Sequence, residues 1–391
     1  MSFGKMPIAN GFLRPEDFAT EYFHDLQVGF CPECLMVQFH DQPTRERMFH
    51  ERYAFFSSTS TRMAEHFARF AQIVMDSYID EIDPFIVEIG SNDGILLRHF
   101  AKSGYRHLGV EPSENVAAVA MERGIRTLTA FFDETLAERL EHENGKADAV
   151  LAANVMCHIS DLHPVMAGIK RLLKDRGVLV FEDPYLGDIV AKTAYDQIYD
   201  EHAFYFSVGS LANVVAQHGL EIIDVQPQVV HGGSMRYVVA HTGAYPQAAA
   251  VAQHQMKERQ LGLGRHDTYA TLVHNIERSR DELMNLLTEL NRRGRRIVGY
   301  AATSKSTTVI NYCGITSDLV EFISDTTPIK QGTFSPGQHI PVRSHAEFER
   351  HYPDYALLFA WNHAEEIFAK ETAFAEAGGK WILYVPRVEV R

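Results

Sequence analysis

The stretch Phe85-Ile-Val-Glu-Ile-Gly-Ser-Asn-Asp-Gly94, running on into Ile95-Leu96-Leu97, decides the fold of this chain. Phe85 to Ile89 is an apolar run interrupted only by Glu88 and punctuated by Pro84. Short runs of this kind, bounded by turn residues, suit a strand buried in a parallel sheet. Gly90 and Gly94 bracket a loop of small polar residues, and the sequence after it predicts a helix over 95–102. Glycine tolerates positive φ and lets a ligand approach the backbone, and a helix N-terminus offers unpaired N–H groups. The spacing is not that of the dinucleotide fingerprint G-x-G-x-x-G, because the second Gly falls four residues after the first. A second strand, Leu108-Gly-Val-Glu111, ends in an acid 21 residues after Gly90 (111 − 90 = 21). At that distance in Rossmann-like folds a carboxylate meets a ribose diol, accepting a hydroxyl on each oxygen. A plain Gly turn with a surface Glu is the bland alternative.

The pattern E-x-G-x-x-x-G resembles motif I of S-adenosylmethionine (SAM)-dependent methyltransferases. That resemblance implies a cofactor site at Glu88, Gly90, Asp93, Gly94 and Glu111. Strand and helix signals alternate from 81 to about 245. Strands are expected near 85–89, 107–111, 148–153, 177–182 and 221–226, with a later pair near 228–231 and 235–241. Helices are expected at 95–102, 113–123, 133–141, 163–174 and 208–218. Such alternation predicts a parallel sheet with helices on both faces. Asn154 and His158 follow a strand at its carboxyl end, where open α/β sheets bind ligands. They are candidate contacts for the cofactor, and a helix-capping or core-edge role competes for His158.

Composition narrows the class. A chain of 391 residues is too long for one ordinary core and predicts two or three domains. The net charge of −14, with no basic run, argues against nucleic acid as a partner. No apolar run approaches a membrane span, and Arg14, Glu16 and Asp17 break any signal-like segment, so the cytoplasm is the expected location. Of four cysteines, Cys31 and Cys34 form a C-x-x-C pair. It reads as half of a structural zinc site or as a free pair on a small hairpin, since no second C-x-x-C is present.

The stretch richest in chemistry is Ile198-Tyr199-Asp200-Glu201-His202-Ala-Phe204-Tyr205-Phe206-Ser207. A carboxylate beside an imidazole can orient it and raise its basicity, and the aromatic flanks can exclude water. A charged loop with satisfied aromatics is the alternative. His231-Gly-Gly-Ser-Met-Arg236 places two glycines before a strand, so His231 and Arg236 could face a polar substrate, or the run could be a hairpin turn. Residues 246 to about 285 read as a helical connector. The pattern then restarts: a strand at 295–300, a loop with Thr303, Ser304 and Lys305 at a helix N-terminus, and a strand ending in Asp325. A Lys among hydroxyls at such a junction suits phosphate, but neither glycine fingerprint is present.

Over nearly its whole length the chain resembles the three-domain, SAM-dependent C-methyltransferases of nucleotide-linked keto deoxysugars. The matching pieces are Met6-Pro-Ile-Ala-Asn-Gly-Phe12, Cys31-Pro-Glu-Cys34, Tyr53 with Ser57-Ser58, Glu88 to Gly94, Tyr199-Asp-Glu-His202, His231 to Arg236, Gly299 to Lys305, and Pro328-Ile-Lys330-Gln-Gly with Pro336-Gly337 and Ile340-Pro341. The resemblance implies an α/β architecture: a small N-terminal zinc lobe (1–80), a central Rossmann-like SAM methyltransferase domain (81–245), and a helical connector with a second Rossmann-like domain (246–391). It also implies a nucleotide-linked keto sugar as substrate. His202 would be the base, Glu201 its orienter, Tyr199 and Tyr53 donors to the enolate oxygen, and His231, Arg236, Ser304, Lys305 and Lys330 substrate contacts. One departure stands out: the family carries a further C-x-x-C upstream of the Pro-Ile-Ala-Asn stretch, and Cys31 and Cys34 are the half present here. Other expectations remain open beside it. They are an O- or N-methyltransferase of a small molecule, a non-catalytic nucleotide-sugar binding protein, and a nicotinamide-dependent dehydrogenase, against which the missing glycines at 301–306 argue.

Overall fold

Among the described residues three sheets organise the chain, here in a computed structural model that describes residues 1–49, 56–57 and 61–391. Tyr53 and Ser58 lie outside the described residues. The strands in chain order are β1 (Ser2–Pro7), β2 (Phe23–Phe30), β3 (Val37–Phe39), β4 (Phe85–Ile89), β5 (Arg106–Val110), β6 (Thr127–Leu128), β7 (Ala147–Ala153), β8 (Leu173–Pro184) and β9 (Phe204–Tyr205). They continue as β10 (Leu220–Gln228), β11 (Ser234–His241), β12 (Ile297–Tyr300), β13 (Ile323–Asp325), β14 (Val342–Ser344), β15 (Tyr355–Leu358), β16 (Lys380–Leu383) and β17 (Glu389–Val390).

The central sheet has the order β10-β11-β8-β7-β4-β5-β6. Its strands from β8 to β6 are parallel, and every residue of β4 is buried because neighbouring strands and two helical layers enclose it. The sheet is mixed rather than wholly parallel, since β11 runs antiparallel to both β8 and β10. The expected strand at 228–231 is instead the end of β10 and a turn over Val230–Gly232. His231 there takes φ +54°, which no extended strand accommodates. The helix Thr61–Tyr78 packs Phe67, Phe70 and Val74 against Ile86, Val180 and Val238, so it covers a face of the central sheet.

The C-terminal sheet has the order β14-β13-β12-β15-β16-β17, parallel except for β17. The connector is two helices, Ala249–Leu261 and His266–Arg292. The second buries Leu272, Ile276, Leu283 and Leu287 in one apolar cluster with Ile297, Ile310 and Leu357. The N-terminal sheet, β1-β2-β3-β9, shares that cluster through Phe3, Met6, Leu26 and Val28. Its fourth strand comes from the middle of the chain: β9, from the aromatic run after His202, pairs with β3. No helix among the described residues is long and apolar enough to cross a membrane.

Candidate active site

A cavity of about 600 Å³ opens between the carboxyl edges of the central and C-terminal sheets, with Asn10 of the N-terminal lobe in its wall. In the central sheet β4 stands between β5 and β7, the point where strand order reverses and ligands settle in open α/β sheets. Gly90, directly after β4, has φ +65°, and a Cβ there would come within 2.3 Å of a Val155 methyl. Glu111 is 5% exposed; one carboxylate oxygen accepts from the Asn92 N–H at 2.9 Å and the other from the Ser113 N–H at 2.8 Å. Burial holds its carboxyl above the usual range. Each oxygen keeps a second lone pair for a ligand hydroxyl.

The other expected cofactor residues divide into two groups. Gly90, Glu111, Asn154 and His158 line the cavity together with Asn92 and Val155. Glu88, Asp93 and Gly94 do not, and instead shape the loop from beneath. Glu88 accepts the Leu97 backbone N–H at the start of the short helix Leu97–Lys102, so part of the helix N-terminus expected to meet a ligand is taken internally. Asp93 pairs with Arg123 at 3.0 Å. The residues present therefore fit a nucleoside-bearing methyl donor: a hydroxyl-accepting acid, a backbone that only Gly can bring so close, and polar groups after β7.

The Tyr199–His202 turn sits where the three parts of the chain meet. His202 N bonds to the Tyr199 carbonyl at 2.8 Å, and the Phe39 N–H bonds to the Ala203 carbonyl at 2.9 Å. Asp200 accepts the Ala9 N–H at 2.8 Å, and Asn10 donates to Glu201 at 2.6 Å. From the C-terminal domain, Thr308 donates to the Ile198 carbonyl at 2.7 Å and Thr307 to the Ala9 carbonyl at 2.9 Å. These bonds explain a hydroxyl-rich helix, Ser304–Cys313, in a buried place: its hydroxyls satisfy carbonyls of two other segments.

The His202 imidazole is 4% exposed, its ring centroid 4.1 Å from that of Tyr199 and 5.2 Å from that of His158. Its Nδ1 bonds to the Gln197 carbonyl at 2.7 Å. A carbonyl only accepts, so Nδ1 carries the proton and Nε2 keeps its lone pair. The orienting place expected for Glu201 is thus occupied by the Gln197 backbone, while Glu201 takes the Asn10 amide. Burial first, then His158, hold the His202 imidazole well below its ordinary pKa, so it stays neutral. Burial likewise drives His158 down to about 3 and holds the Tyr199 phenol well above its usual value, protonated at neutral pH. Asp183, buried beneath and accepting the Cys157 N–H at 3.1 Å, is pushed up to about 8 by burial.

The expected substrate residues are also divided. His231 lines the cavity, with Asn154 donating to its Nε2 at 3.2 Å and its carbonyl accepting from Gln197 and, at 3.0 Å, from Lys305. Ser304, Lys305 and Lys330 line it too. Burial draws the Lys305 ammonium down to about 8, partly offset by Asp196, and lowers Lys330 as well. Lys330 donates to the Ala302 carbonyl at 2.8 Å, and Ser304 to Asn10 at 3.0 Å. Arg236 lies elsewhere: it is 1% exposed, donates to Glu182 at 2.6 Å and sits 4.1 Å over the Phe70 ring. The two glycines before β11 bring the backbone near other side chains rather than a ligand, since a Cβ on Gly232 would lie 2.4 Å from the Trp361 indole and one on Gly233 2.4 Å from the Asp188 carboxylate.

Cys31 and Cys34 are free thiols, and a structural zinc site wants four ligands. Among the described residues the one group of three or more His, Cys, Asp or Glu with ligand atoms in reach of a metal is Cys157, His158 and His202, within 4.8 Å and outside the N-terminal lobe. Among the described residues, then, no third His, Cys, Asp or Glu stands with Cys31 and Cys34 in reach of one metal ion, and the pair supplies half of a zinc ligand set. Neither residue type nor spacing singles out Gln197, Asp183 or Asn10, which the fold brings to the site. Gln197 acts through its carbonyl, for which side-chain identity carries no signal.

Three family models match successive parts of the chain: "Putative zinc binding domain" over residues 1–49, "Methyltransferase domain" over 50–225 and "C-methyltransferase C-terminal domain" over 229–386. The chain is 34% identical over 393 residues to the C-methyltransferase NovU of Streptomyces niveus, a match covering 100% of this chain and 93% of that protein. It is 27% identical over 95 residues to a ubiquinone biosynthesis O-methyltransferase of Bartonella quintana (strain Toulouse), covering 24% of this chain and 38% of that protein. Among solved structures, the magnesium protoporphyrin IX methyltransferase ChlM of Synechocystis PCC 6803 with bound SAM superposes with a TM-score of 0.35 and 12% identity. That match covers 46% of this chain and 79% of that one.

Proposed function

The chain belongs to the SAM-dependent C-methyltransferase family, and from that premise we propose that it methylates a carbon next to the ketone of a nucleotide-linked deoxysugar. The observation that carries this reading is the position of His202. A neutral imidazole, its Nδ1 proton tied to a carbonyl, turns an open lone pair toward a cavity that reaches both Glu111 and Lys305.

A carbon beside a ketone becomes nucleophilic only after losing a proton, and the enolate oxygen then needs a donor. His202 Nε2 takes the proton. The Tyr199 hydroxyl, kept protonated by burial, donates to the developing oxygen. When bound, SAM supplies an electrophilic methyl group on its sulfonium. Glu111 would accept the ribose hydroxyls of that donor, with Gly90 and Asn154 lining its path. His202 could equally take a proton from a hydroxyl, and what favours a nucleotide-linked substrate over an unphosphorylated small molecule is the pair of buried lysines, Lys305 and Lys330, in the same cavity.

Two predictions follow from these roles. Glu111→Ala removes two hydroxyl contacts, and each bond to a charged acceptor is worth about 1.5–3 kcal/mol. Titration calorimetry with SAM should show a dissociation constant raised at least ~10-fold; an unchanged value takes Glu111 out of the site. The second concerns Lys305, whose ammonium titrates at about 8. It is charged below that pH and neutral above it, so its attraction for a diphosphate is present at pH 7 and lost as pH rises. The KM for the sugar nucleotide should climb about 10-fold between pH 7 and 9, and that for SAM should stay level. Lys305→Ala should flatten the climb; a climb that persists in this variant assigns it to another group. The reading as a whole is tested by product mass and carbon NMR on a panel of keto sugar nucleotides. A methyl found on oxygen or nitrogen would overturn it.

A further inference from the structure

Three side chains that meet at the reaction centre make a ligand set for a soft divalent cation. Cys157 and His158 lie in the single turn Met156–His158, which follows β7. His202 comes from the Tyr199–His202 turn, which packs beside it. The Cys157 Sγ and a ring nitrogen of each histidine all lie within 4.8 Å of one another. His158 and His202 line the cavity, and Cys157 is buried next to them.

The surroundings are those of a metal site. A metal-bound histidine generally donates its second ring N–H to a carbonyl or carboxylate, which fixes the ring and its tautomer. His202 already does so: Nδ1 donates to the Gln197 carbonyl at 2.7 Å, and Nε2 keeps its lone pair. His158 Nε2 is buried with no hydrogen-bond partner among the described residues, an unusual state for a polar atom. Asp183 is fully buried; one carboxyl oxygen accepts the Cys157 N–H at 3.1 Å, and the other has no partner among those residues. A divalent cation with one thiolate keeps a net positive charge, and a buried charge needs an opposite one close by. The Asp183 carboxylate, set against Cys157, supplies it. One thiolate and two imidazoles select Zn²⁺ over Mg²⁺ or Ca²⁺, which take oxygen ligands. Ligand atoms on a tetrahedral Zn²⁺ stand roughly 3.3–3.6 Å apart, so the three groups close on the ion by ~1 Å.

We propose that Cys157, His158 and His202 bind Zn²⁺ and that the bound ion silences the enzyme. As it binds, the Cys157 thiol gives its proton to solvent, one Zn–S and two Zn–N bonds form, and no electron changes hands. The lone pair of His202 Nε2 is then committed to the metal and no longer takes a proton from substrate. The silencing rests on the role given to His202 above; the binding does not.

The test uses Co²⁺, a coloured stand-in for Zn²⁺. It is titrated into the full chain, Cys157→Ser and His158→Gln, with bound metal counted by equilibrium dialysis and folding followed by circular dichroism. The full chain should bind one Co²⁺ more than either variant. That ion should show tetrahedral d–d bands and a sulfur-to-cobalt charge-transfer band that Cys157→Ser loses. The Cys31–Cys34 pair is the same in all three proteins, so whatever it binds cancels. Equal uptake and equal spectra in the full chain and either folded variant overturn the site. Zn²⁺ is then added to the full chain, and methyl transfer is followed on the keto sugar nucleotide of the panel that turns over fastest. The value of kcat should fall at least ~10²-fold, the contribution of a general base, with EDTA restoring it and Mg²⁺ without effect. A zinc-loaded enzyme that keeps its full rate overturns the silencing and takes His202 out of the ligand set. If no member of the panel is methylated, the nucleotide-sugar reading fails, and the cobalt titration still decides the site.

Discussion

Replacing His202 with alanine is expected to lower kcat by ~10²–10⁴, the usual contribution of a general base, with SAM binding intact. The same variant should lose exchange of the substrate's acidic proton with deuterated solvent in the absence of SAM. The Gln197 carbonyl selects the tautomer whose Nε2 lone pair is available, and burial keeps the ring neutral through the neutral range. The competing base is an ionised Tyr199. Its phenol is held well above the ordinary value, first by burial and then by Glu201, so ionisation at pH 7 would be costly. Exchange that survives in His202→Ala and vanishes in Tyr199→Phe would transfer the role to the tyrosine.

The largest effect on stability is expected from Glu182→Ala. Glu182 is 1% exposed and joins three elements: it accepts from Arg236 of β11 at 2.6 Å and from His66 of the helix on the sheet face at 2.6 Å, and its carbonyl accepts from Asn154 at 2.7 Å. Removing one partner of a buried pair leaves the other charge without compensation, at a cost of about 3–5 kcal/mol. For a domain of this size that is a fall of roughly 6–20 °C in Tm, read by differential scanning calorimetry. A double replacement, Glu182→Leu with Arg236→Met, removes both charges and should recover most of the loss. A single variant that melts with the parent protein would show that the pair adds nothing to stability.

Much of this was legible in the chain itself. The apolar run Phe85–Ile89, the glycine that ends it and the acid at 111 announced the central sheet, its loop and the kind of ligand it suits. A parallel strand is buried on both faces and must read as a continuous apolar run, and a turn needing positive φ must carry Gly. The restart of the same pattern after 295 announced the second sheet, and the run Tyr199 to His202 marked the chemistry by residue type alone. The tight cluster of Tyr, acids and His needed no alignment to be noticed.

Local periods and punctuation along the chain account for the strands, the turns and the candidate reactive groups. Which polar groups face the cavity and which face the core followed instead from how distant segments pack. Arg236 looked like a substrate contact and is a core cation, because strand alternation at β11 turns it toward Glu182 and Phe70. Glu201 adjoins His202 in the chain, yet the Gln197 carbonyl five residues back holds the ring. Asp325 was only an acid at a strand end until the fold gave its two oxygens the N–H groups of Ala302 and Thr327. The physical reason is common to all three. Adjacency along a chain fixes backbone neighbours within a few ångströms, whereas a side chain's partners are set by which segments pack together. Here the Tyr199–His202 turn is held by Ala9 and Asn10 on one side and by Thr308 on the other, 191 and 110 residues away.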